Sequence, residues 1–524
     1  MKTTFFRLGF ANNSSSVHSL AFSSKLNGRD KNIDNEWEFG WNNFVLGTKE
    51  SKLKYMFATL KENWEMYNNF YDSLLTYDEM AKVNHDYFFK LAKNIPIFSD
   101  IVYEAEEKGM DMFVDHQSTL SIPLYRNYDK KDPNVFFNVE FFTDLTNFIV
   151  NNSFVIIGGN DNGRDEEDKN YYDPQKYNED KYREIKQIWN SLKDKYKYYC
   201  LCEKDNNTGE YVLSYRTGGI HKVKFGELPT DNKSEFPYLV DIKVTNKCSN
   251  GCLECYADSK PDGDSSKTFF YSLSKALKKA RVFEIAIGGG EVTEFLKPYR
   301  IEHPEEGGYN ISYIAEIFHN DKFKVGMTTR NYNIHKEPYW DHLVDNIDSI
   351  AVSVRNPEEV KKASDIQKSF QEKCLNRQDY SRQFNVQYIL GCAELDDFKK
   401  IIDVCKENYI YNITLLGPKY CGRGNNVVWY DLGTKWINIV KEATNGEYNT
   451  FNVGIDSVLA KNYKKDLIKA GVKCCYLLCE EGKSTCFIDA VKGYIRPSSF
   501  SDEGVKCNLD NITSEEFLKI FEKF

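Results

Sequence analysis

Residues 238–256 read YLVDIKVTNKCSNGCLECY and join an extended segment to a cluster of cysteines. The alternation of apolar and polar residues over Tyr238–Thr245, with β-branched side chains among them, predicts a β-strand. The thiols that follow have the spacing Cys-x3-Cys-x2-Cys, at Cys248, Cys252 and Cys255. Gly251 permits a tight loop between them, and three thiolates could hold three irons of a [4Fe–4S] cluster and leave the fourth open. A structural zinc site is the alternative, because it also uses thiolates.

The sequence after this loop alternates predicted strands with predicted helices. Five further strands are predicted at Val282–Ile287, Phe323–Met327, Ile347–Val354, Phe384–Leu390 and Ile413–Leu416. Helices are predicted at Leu273–Arg281, Asp396–Glu407 and Thr434–Thr444. This pattern favours an α/β fold, a partial (β/α)6 TIM-like barrel, with its chemistry in the loops that follow the strand C-termini.

Two motifs at successive strand ends resemble those of the radical S-adenosylmethionine (radical SAM) superfamily. The first is the cysteine spacing, and the second is Gly289-Gly290-Glu291, which is similar to the superfamily's GGE motif. The resemblance covers residues 236–425. It implies that the three cysteines hold a [4Fe–4S] cluster and that the Gly-Gly-Glu segment contacts the amino group of S-adenosylmethionine.

The same resemblance implies an activity. One electron from the cluster would cleave bound S-adenosylmethionine to methionine and a 5′-deoxyadenosyl radical, which abstracts hydrogen from a substrate. An electron donor such as flavodoxin or ferredoxin is implied as a partner. The leading interpretation is modification of a peptide or protein side chain. The alternatives are a radical SAM enzyme acting on a small molecule or nucleotide, and a non-catalytic metal-binding interaction protein.

Further matches to the family are weaker. The turn Thr328–Asn331 resembles a polar turn of the family, and Ser353 and Arg355 resemble residues that contact the ribose or carboxylate of S-adenosylmethionine. An ordinary polar strand end explains these positions equally well. Relatives usually carry an aromatic residue just before the third cysteine, where this chain has Glu254. We therefore expect Tyr256 to be the aromatic neighbour of the adenine.

The C-terminal sequence is rich in thiols. Five cysteines lie there, at Cys474, Cys475, Cys479, Cys486 and Cys507. The spacing from Cys479 to Gly493 and Ser498 resembles the start of the SPASM and twitch extensions, although those relatives have a cysteine in place of Ser498. Three interpretations stay open: an auxiliary iron–sulfur cluster bound by these cysteines, a vestigial fold with free thiols, and a zinc site. The Gly-Arg-Gly turn at 422–424 resembles one in SPASM-type members, and a surface loop explains it equally well.

These observations divide the chain into three predicted domains. Residues 1–232 form an N-terminal α+β domain with a possible role in substrate recognition. Residues 233–425 form the radical SAM partial barrel, and residues 426–524 form a small SPASM- or twitch-like extension. The polar run Glu227–Glu235 is the predicted boundary between the first two. Within the N-terminal domain, apolar periodicity predicts helix over Ser51–Lys93.

Isolated features of the sequence predict local structure only. A β-hairpin is predicted around the turn Asn206–Gly209, with Cys202 in its first strand on a core face. Four cysteines stand alone, at Cys374, Cys392, Cys405 and Cys421. A lone cysteine is usually a small buried hydrophobe, and we expect these four to be core residues.

Composition limits the classes of function. The 524 residues include 69 basic and 78 acidic side chains, a net charge of −9, which argues against general nucleic-acid binding. A mean hydropathy of −0.58 and the lack of an apolar run near the roughly 18 residues that span a bilayer argue against an integral membrane protein. Arg7 interrupts the N-terminal apolar stretch, so no secretion signal is predicted. Fourteen cysteines without such a signal favour thiols or metal ligands over disulfides, and a cytoplasmic location is expected.

Overall fold

The computed structural model describes the chain in segments that become nearly continuous after residue 232. The described residues are 2–5, 21–23, 30, 37–39, 44–67, 85–86, 88–107, 112–114, 124–125, 138–151, 155–158, 201–214, 220–225, 233–268, 270–298, 308–376, 382–444, 451–472, 475–476 and 481–524. Cys474, Cys479 and most of the predicted boundary at 227–235 lie outside these residues.

The N-terminal part mixes short strands with helices. Its described strands are β1 (Lys2–Phe5), β2 (Ala21–Ser23), β3 (Glu38–Phe39), β4 (Phe44–Leu46), β5 (Phe113–Val114), β6 (Leu124–Tyr125), β7 (Val155–Gly158), β8 (Leu201–Asp205), β9 (Glu210–Ser214) and β10 (Ile220–Lys224). Its helices are α1 (Lys49–Tyr67), α2 (Val102–Glu107) and α3 (Val139–Asn151). The sheet order is β1-β10-β9-β8-β6 in one sheet and β2-β7-β4 in another, and β3 pairs with β5. An aromatic core lies between these elements, in which Phe57 packs edge to face on Phe88 and Phe98.

The predictions for the N-terminal part are confirmed where the structure describes it. Helix α1 and the helical residues 88–93 fall within the predicted helical region, whose residues 68–84 lie outside the described chain. Strands β8 and β9 pair antiparallel as the predicted hairpin. Cys202 is fully buried in the core of this part, as expected.

From residue 239 onward, eleven of the described strands form one large sheet. They are β11 (Leu239–Thr245), β12 (Glu284–Gly289), β15 (Lys324–Thr329), β16 (Ser349–Ser353), β17 (Gln383–Ile389), β18 (Asn412–Leu416), β19 (Asn452–Ile455), β20 (Cys475–Tyr476), β21 (Thr485–Asp489), β22 (Tyr494–Arg496) and β23 (Val505–Lys506). The order is β20-β19-β18-β17-β16-β15-β12-β11-β21-β22-β23. All neighbours from β20 to β21 are parallel, and β22 and β23 continue the sheet antiparallel. A separate antiparallel pair is formed by β13 (Leu296–Pro298) and β14 (Gly308–Asn310).

Helices connect most of the parallel strands, as parallel pairing requires. The helices of this part are α4 (Tyr271–Lys279), α5 (Ile311–Asn320), α6 (Trp340–Asn346), α7 (Pro357–Asn376), α8 (Leu395–Glu407), α9 (Lys435–Thr444), α10 (Ser457–Ala470) and α11 (Ser514–Glu522). In α8 the buried side chains recur at helical spacing, at Phe398, Ile401, Ile402 and Cys405, so one face packs into the core.

The two faces of the large sheet differ in polarity because side chains alternate along each strand. In β17 the residues Phe384, Val386 and Tyr388 are buried in the same hydrophobic core as the helices. The intervening Asn385 and Gln387 line cavities on the other face. The helices therefore cover one apolar face, and the second face is polar and concave enough to hold ligand-sized spaces.

The architecture agrees with the sequence analysis at the level of an α/β fold. All six predicted strands are present in the predicted order and run parallel, and the predicted helices correspond to α4, α8 and α9. The described sheet is open, with β20 at one edge and β23 at the other, so it is not a closed barrel. The sequence analysis did not foresee that β21 would pair with β11, which extends the sheet with a C-terminal strand. Among the described helices, none has the length and apolar character needed to cross a bilayer.

Candidate functional site

The loops after β11, β12, β15, β16 and β17 border one cavity of about 370 Å³ at the C-terminal edge of the parallel strands. We call it the site cavity. Every residue that the sequence motifs assigned to the cluster or the cofactor lines it: Cys248, Cys252, Cys255, Tyr256, Gly289, Gly290, Glu291, Ser353 and Arg355. Parallel strands bring their carboxyl ends to one edge, which explains why motifs distant in sequence meet there.

Backbone hydrogen bonds fix the start of the cysteine loop. The amide of Cys248 donates to the carbonyl of Lys260 at 2.8 Å, and the amide of Asn246 donates to the carbonyl of Asp264 at 2.7 Å. The carboxylate of Glu294, in the turn after β12, accepts from the amide and hydroxyl of Ser249 at 2.7 and 3.1 Å. The loop that carries the thiols is therefore tied both to itself and to the Gly-Gly-Glu turn.

The Gly-Arg-Gly turn after β18 holds the far end of the cysteine loop. Arg423 Nε donates to the carbonyl of Cys252 at 2.9 Å, and Nη1 donates to the carbonyl of Ser259 at 2.7 Å. The same guanidinium pairs with Asp258 at 3.2 Å, and the Arg423 amide donates to the carbonyl of Cys255 at 3.0 Å. The turn therefore supports the cysteine loop, and both interpretations that the sequence left open for it, a SPASM-type turn and a surface loop, remain predictions.

The glycines of the GGE-like motif permit contact between two backbones. The Gly290 amide donates to the carbonyl of Thr245 at 2.7 Å, and a Cβ added to Gly290 would lie 2.2 Å from the carbonyl oxygen of Lys247. Gly289 has a φ of +130°, and its added Cβ would lie 2.4 Å from the carbonyl oxygen of Thr245. These glycines therefore let the β12 turn pack directly on the chain that leads into the cysteine loop.

Changing Gly290 to alanine is expected to lower the free energy of unfolding by about 1–3 kcal/mol, because the methyl group would overlap backbone that cannot move aside. Gly288→Ala is the matched control, since no atom lies within 4 Å of its added Cβ. The control should stay within about 0.5 kcal/mol of the wild type. Urea unfolding followed by tryptophan fluorescence measures both, and equal midpoints for the two variants would contradict the contact.

Glu291 is buried and already surrounded by donors. Its carboxylate accepts from the amide and hydroxyl of Thr293 at 3.3 and 3.0 Å and from the Thr329 hydroxyl at 2.6 Å. It also accepts from the amide of Arg330 at 2.8 Å and from the side chain of Asn250 at 3.2 Å. A carboxylate offers about four lone-pair positions, so an additional ammonium group has to replace one of these five donors.

A chain of charged groups crosses the site cavity from Cys252. Arg330 Nη1 donates to Cys252 Sγ at 3.2 Å, and its Nη2 lies 2.5 Å from Glu359. Glu359 also accepts from the amide of Arg355 at 2.8 Å, and the Arg355 side chain pairs with Glu254. Glu254, which replaces the aromatic residue of relatives, is thus bound to a residue predicted to contact the cofactor.

Tyr256 faces a lysine that the sequence analysis missed. Lys419 Nζ lies 4.6 Å from the centre of the Tyr256 ring and 5.3 Å from that of Phe500, which are favourable cation–π distances. Burial acts to lower the pKa of Lys419, but the nearby Tyr256, Asp456 and other acidic groups outweigh it, so the pKa is raised. Lys419 therefore carries a positive charge beside the cysteine loop at neutral pH.

Two of the four isolated cysteines are core residues, as predicted, and two are not. Cys374 and Cys405 are buried in the hydrophobic core, whereas Cys392 and Cys421 are only partly buried. Cys392 lines the site cavity, and burial together with nearby Glu254 raises the pKa of its thiol to about 12. The expectation of a core role is wrong for Cys392, because the turn after β17 directs it to the cavity. A lone cysteine gives no sequence signal for such a position.

The C-terminal cysteines are only partly described. Cys486 is buried in the hydrophobic core and Cys507 packs partly against it, with burial raising the pKa of Cys507 to about 11. Of Cys475 only the backbone is described. Among the described residues, no three or more His, Cys, Asp or Glu side chains form a group that could hold a metal ion. The three interpretations of this region remain predictions.

Comparisons with known proteins find similarity of fold only. No family model and no curated protein sequence matches the chain. Streptococcus suis SuiB matches with a TM-score of 0.42 and 14% identity, over 55% of this chain and 66% of SuiB. SuiB bound to the precursor peptide SuiA matches at 0.37 and 13%, over 55% of this chain and 65% of SuiB. The chain therefore spans just under two thirds of the length of SuiB.

A second solved protein is similar over a comparable share of the chain. Native anSMEcpe with bound AdoMet and a peptide, Cp18Cys, matches with a TM-score of 0.37 and 14% identity, over 54% of this chain and 80% of anSMEcpe. SuiB has also been solved with S-adenosylmethionine bound.

Proposed function

We propose that this chain is a radical SAM enzyme that modifies a peptide or protein side chain. The observation that carries the proposal is the meeting of three thiols, a Gly-Gly-Glu turn and two further polar residues, from three separate loops, around one cavity. We further propose that the sheet forms a partial barrel around the cavity. We also propose that residues 1–232 recognise the polypeptide substrate.

The chemistry of the residues present suits a [4Fe–4S] cluster, although among the described residues no three such side chains converge on a single metal position. Cys248, Cys252 and Cys255 line one cavity, and each thiolate of such a cluster binds a different iron, so the sulfurs need not converge on one point. Arg330 already donates to Cys252 Sγ, and hydrogen bonds to ligand sulfurs are a usual feature of these centres. When bound, the cluster supplies the electron that cleaves S-adenosylmethionine to methionine and a 5′-deoxyadenosyl radical.

The protein residues bind and orient the cofactor. Glu291 accepts the amino group of the methionine moiety, with Asn250 as the donor that is released, because Asn250 is exposed and donates through a side chain that can turn away. Arg355 and Ser353 contact the carboxylate or ribose from the end of β16. Tyr256 packs near the adenine from the opposite side of the cavity. Lys419 holds the Tyr256 ring in place through its cation–π contact.

A peptide is the proposed substrate class. Exposed apolar side chains stand on the cysteine loop and on the loop after β18: Leu253 is 75% exposed, Tyr420 71% and Val428 91%. Apolar surface exposed near a cavity is typical of sites that bind proteins or peptides. SuiB and anSMEcpe have both been solved with peptides bound. A low-potential protein such as flavodoxin or ferredoxin would deliver the electron.

The proposal is tested by anaerobic reconstitution with iron and sulfide, followed by incubation with S-adenosylmethionine and dithionite. We expect about four irons per chain and release of 5′-deoxyadenosine only when reductant is present. A content of about eight irons would add an auxiliary cluster in the C-terminal region. Iron-loaded protein that releases no 5′-deoxyadenosine under reductant would contradict the proposed activity.

A further inference from the structure

A second cavity, of about 290 Å³, lies on the same polar face of the sheet. We call it the inner cavity. It is lined by residues near the amino ends of the strands, such as Glu284 of β12, Asn385 of β17 and Asn452 of β19. Lys419 and Gln387 line both cavities, so the inner cavity borders the site cavity directly. A group held in it would stand beside the cofactor.

The inner cavity is strongly acidic. Among its described lining residues, four are carboxylates and one is a cation. The carboxylates are Asp241, Glu284, Asp456 and Glu481, and the cation is Lys419. Most of the remaining polar lining consists of amides and hydroxyls, among them Gln383, Asn385, Gln387, Thr414 and Asn452. Because its described lining has four carboxylates and one ammonium, the cavity favours a ligand that brings positive charge and N–H donors.

Two acceptors in this lining lack a donor within the described chain. Asp456 is 7% exposed, and its Oδ1 caps helix α10 by accepting from the Leu459 amide at 2.9 Å. Its second oxygen, Oδ2, is buried and accepts no hydrogen bond within the described chain. The Oδ1 atom of Asn385 is in the same state, while its Nδ2 donates to Thr414. Buried acceptors without donors are costly, so two of them in one lining indicate a ligand that donates.

From these observations we propose that the inner cavity binds a cationic side chain of the substrate, the ammonium of a lysine or the guanidinium of an arginine. The inference rests on the proposed function, since it names the residue of the peptide that enters next to the cofactor. Asp456 and Asn385 accept from the head group, and Glu284 and Glu481 balance its charge. The methylene groups then lie toward the site cavity, where hydrogen is abstracted.

Lys419 increases the preference of the inner cavity for a cationic side chain. Its ammonium stands where the two cavities meet, held over the rings of Tyr256 and Phe500. A neutral or anionic side chain would add no positive charge to this acidic lining. A cationic side chain that passes Lys419 adds one, and its aliphatic stem tolerates the neighbouring aromatic rings.

Equilibrium binding to the anaerobically reconstituted protein tests the proposal. The probes are acetyl-Gly-X-Gly-amide peptides in which X is lysine, arginine, glutamine or glutamate, titrated by calorimetry. We expect the lysine or arginine peptide to bind at least about tenfold more tightly than the glutamine and glutamate peptides. Equal affinity for the four peptides would overturn the proposal.

Substitutions in the lining test whether the cationic side chain binds in the inner cavity. Asp456→Asn keeps a good helix cap, and Glu481→Gln keeps the bond that Ser457 donates at 2.9 Å, so together they remove charge while retaining the local structure. The double variant should reduce the preference for cationic peptides about tenfold. Asp456→Asn alone should reduce it severalfold. The matched control is Glu358→Gln, an exposed carboxylate paired with Lys361 on α7. A preference that persists in the double variant would overturn the assignment to this cavity.

The two proposals fail separately. The inner cavity has none of Cys248, Cys252 and Cys255 in its described lining, so a variant with all three changed to alanine should keep the cationic preference. A wild-type chain that cleaves S-adenosylmethionine but shows no cationic preference overturns only the substrate class. A chain that shows the preference without cleaving the cofactor overturns only the proposed activity.

Discussion

Replacing Cys248, Cys252 and Cys255 together by alanine is expected to lower the iron content from about four atoms per chain to less than one and to bring 5′-deoxyadenosine release to background. The reason is that thiolates are the usual iron ligands of such clusters, and these three are the thiols of the cysteine loop. Two measurements report the effect. One is iron and acid-labile sulfide analysis, and the other is the absorption of the reconstituted protein at about 400 nm, where such clusters absorb.

The control for this experiment is a variant with the two core cysteines changed, Cys374→Ala and Cys405→Ala. Both thiols are buried in the hydrophobic core and away from the site cavity, so this variant should keep its iron. If the triple variant retained iron and still cleaved S-adenosylmethionine, the cluster would have other ligands. That result would remove the observation on which the proposed function depends.

Changing Arg423 to alanine is expected to accelerate loss of iron from the reconstituted protein by about 10- to 100-fold, the usual effect of removing an outer support of a metal site. Arg423 donates to the carbonyls of Cys252 and Ser259 and pairs with Asp258, so its loss frees the loop between the second and third thiols. The measurement is the rate of iron transfer to an excess of chelator under anaerobic conditions.

Arg382→Ala provides the comparison for Arg423. Its guanidinium also donates to a backbone carbonyl, that of Asp345 at 2.9 Å, but it lies outside the lining of the site cavity. Arg423→Lys should fall between the wild type and the alanine variant, because an ammonium can reach one carbonyl but cannot fork between two. Equal rates for Arg423→Ala and Arg382→Ala would contradict the supporting role.

The elements that the sequence predicts well are those whose signal is local. The strand before Cys248 and the five strands that follow it are bounded by turns and helices, and each could be placed from its own residues. Their parallel order then places Cys248 and Glu291 at the same edge without any knowledge of distances. This is why the predicted site residues proved to line one cavity.

Other features depend on contacts between distant parts of the chain. Lys419 looks like any surface lysine in sequence, and only the fold shows that it lies over Tyr256 and next to Asp456. The donors that surround Glu291 come from three loops, so its saturation could not be deduced from the GGE-like motif. Cys392 gave no signal because a single thiol has the same appearance in a core and in a cavity.

Strand β21 has a consequence for how the protein matures in the cell. It pairs with β11, the strand that leads into the cysteine loop, and the Ser266 hydroxyl donates to the Ala490 carbonyl 224 positions along the chain. Contacts so far apart form late, because a long loop must close first. During synthesis, β11 lacks one of its two neighbours until residues 485–489 have left the ribosome. We therefore expect a chain that ends before β21 to present its cysteine loop on a strand with one open edge.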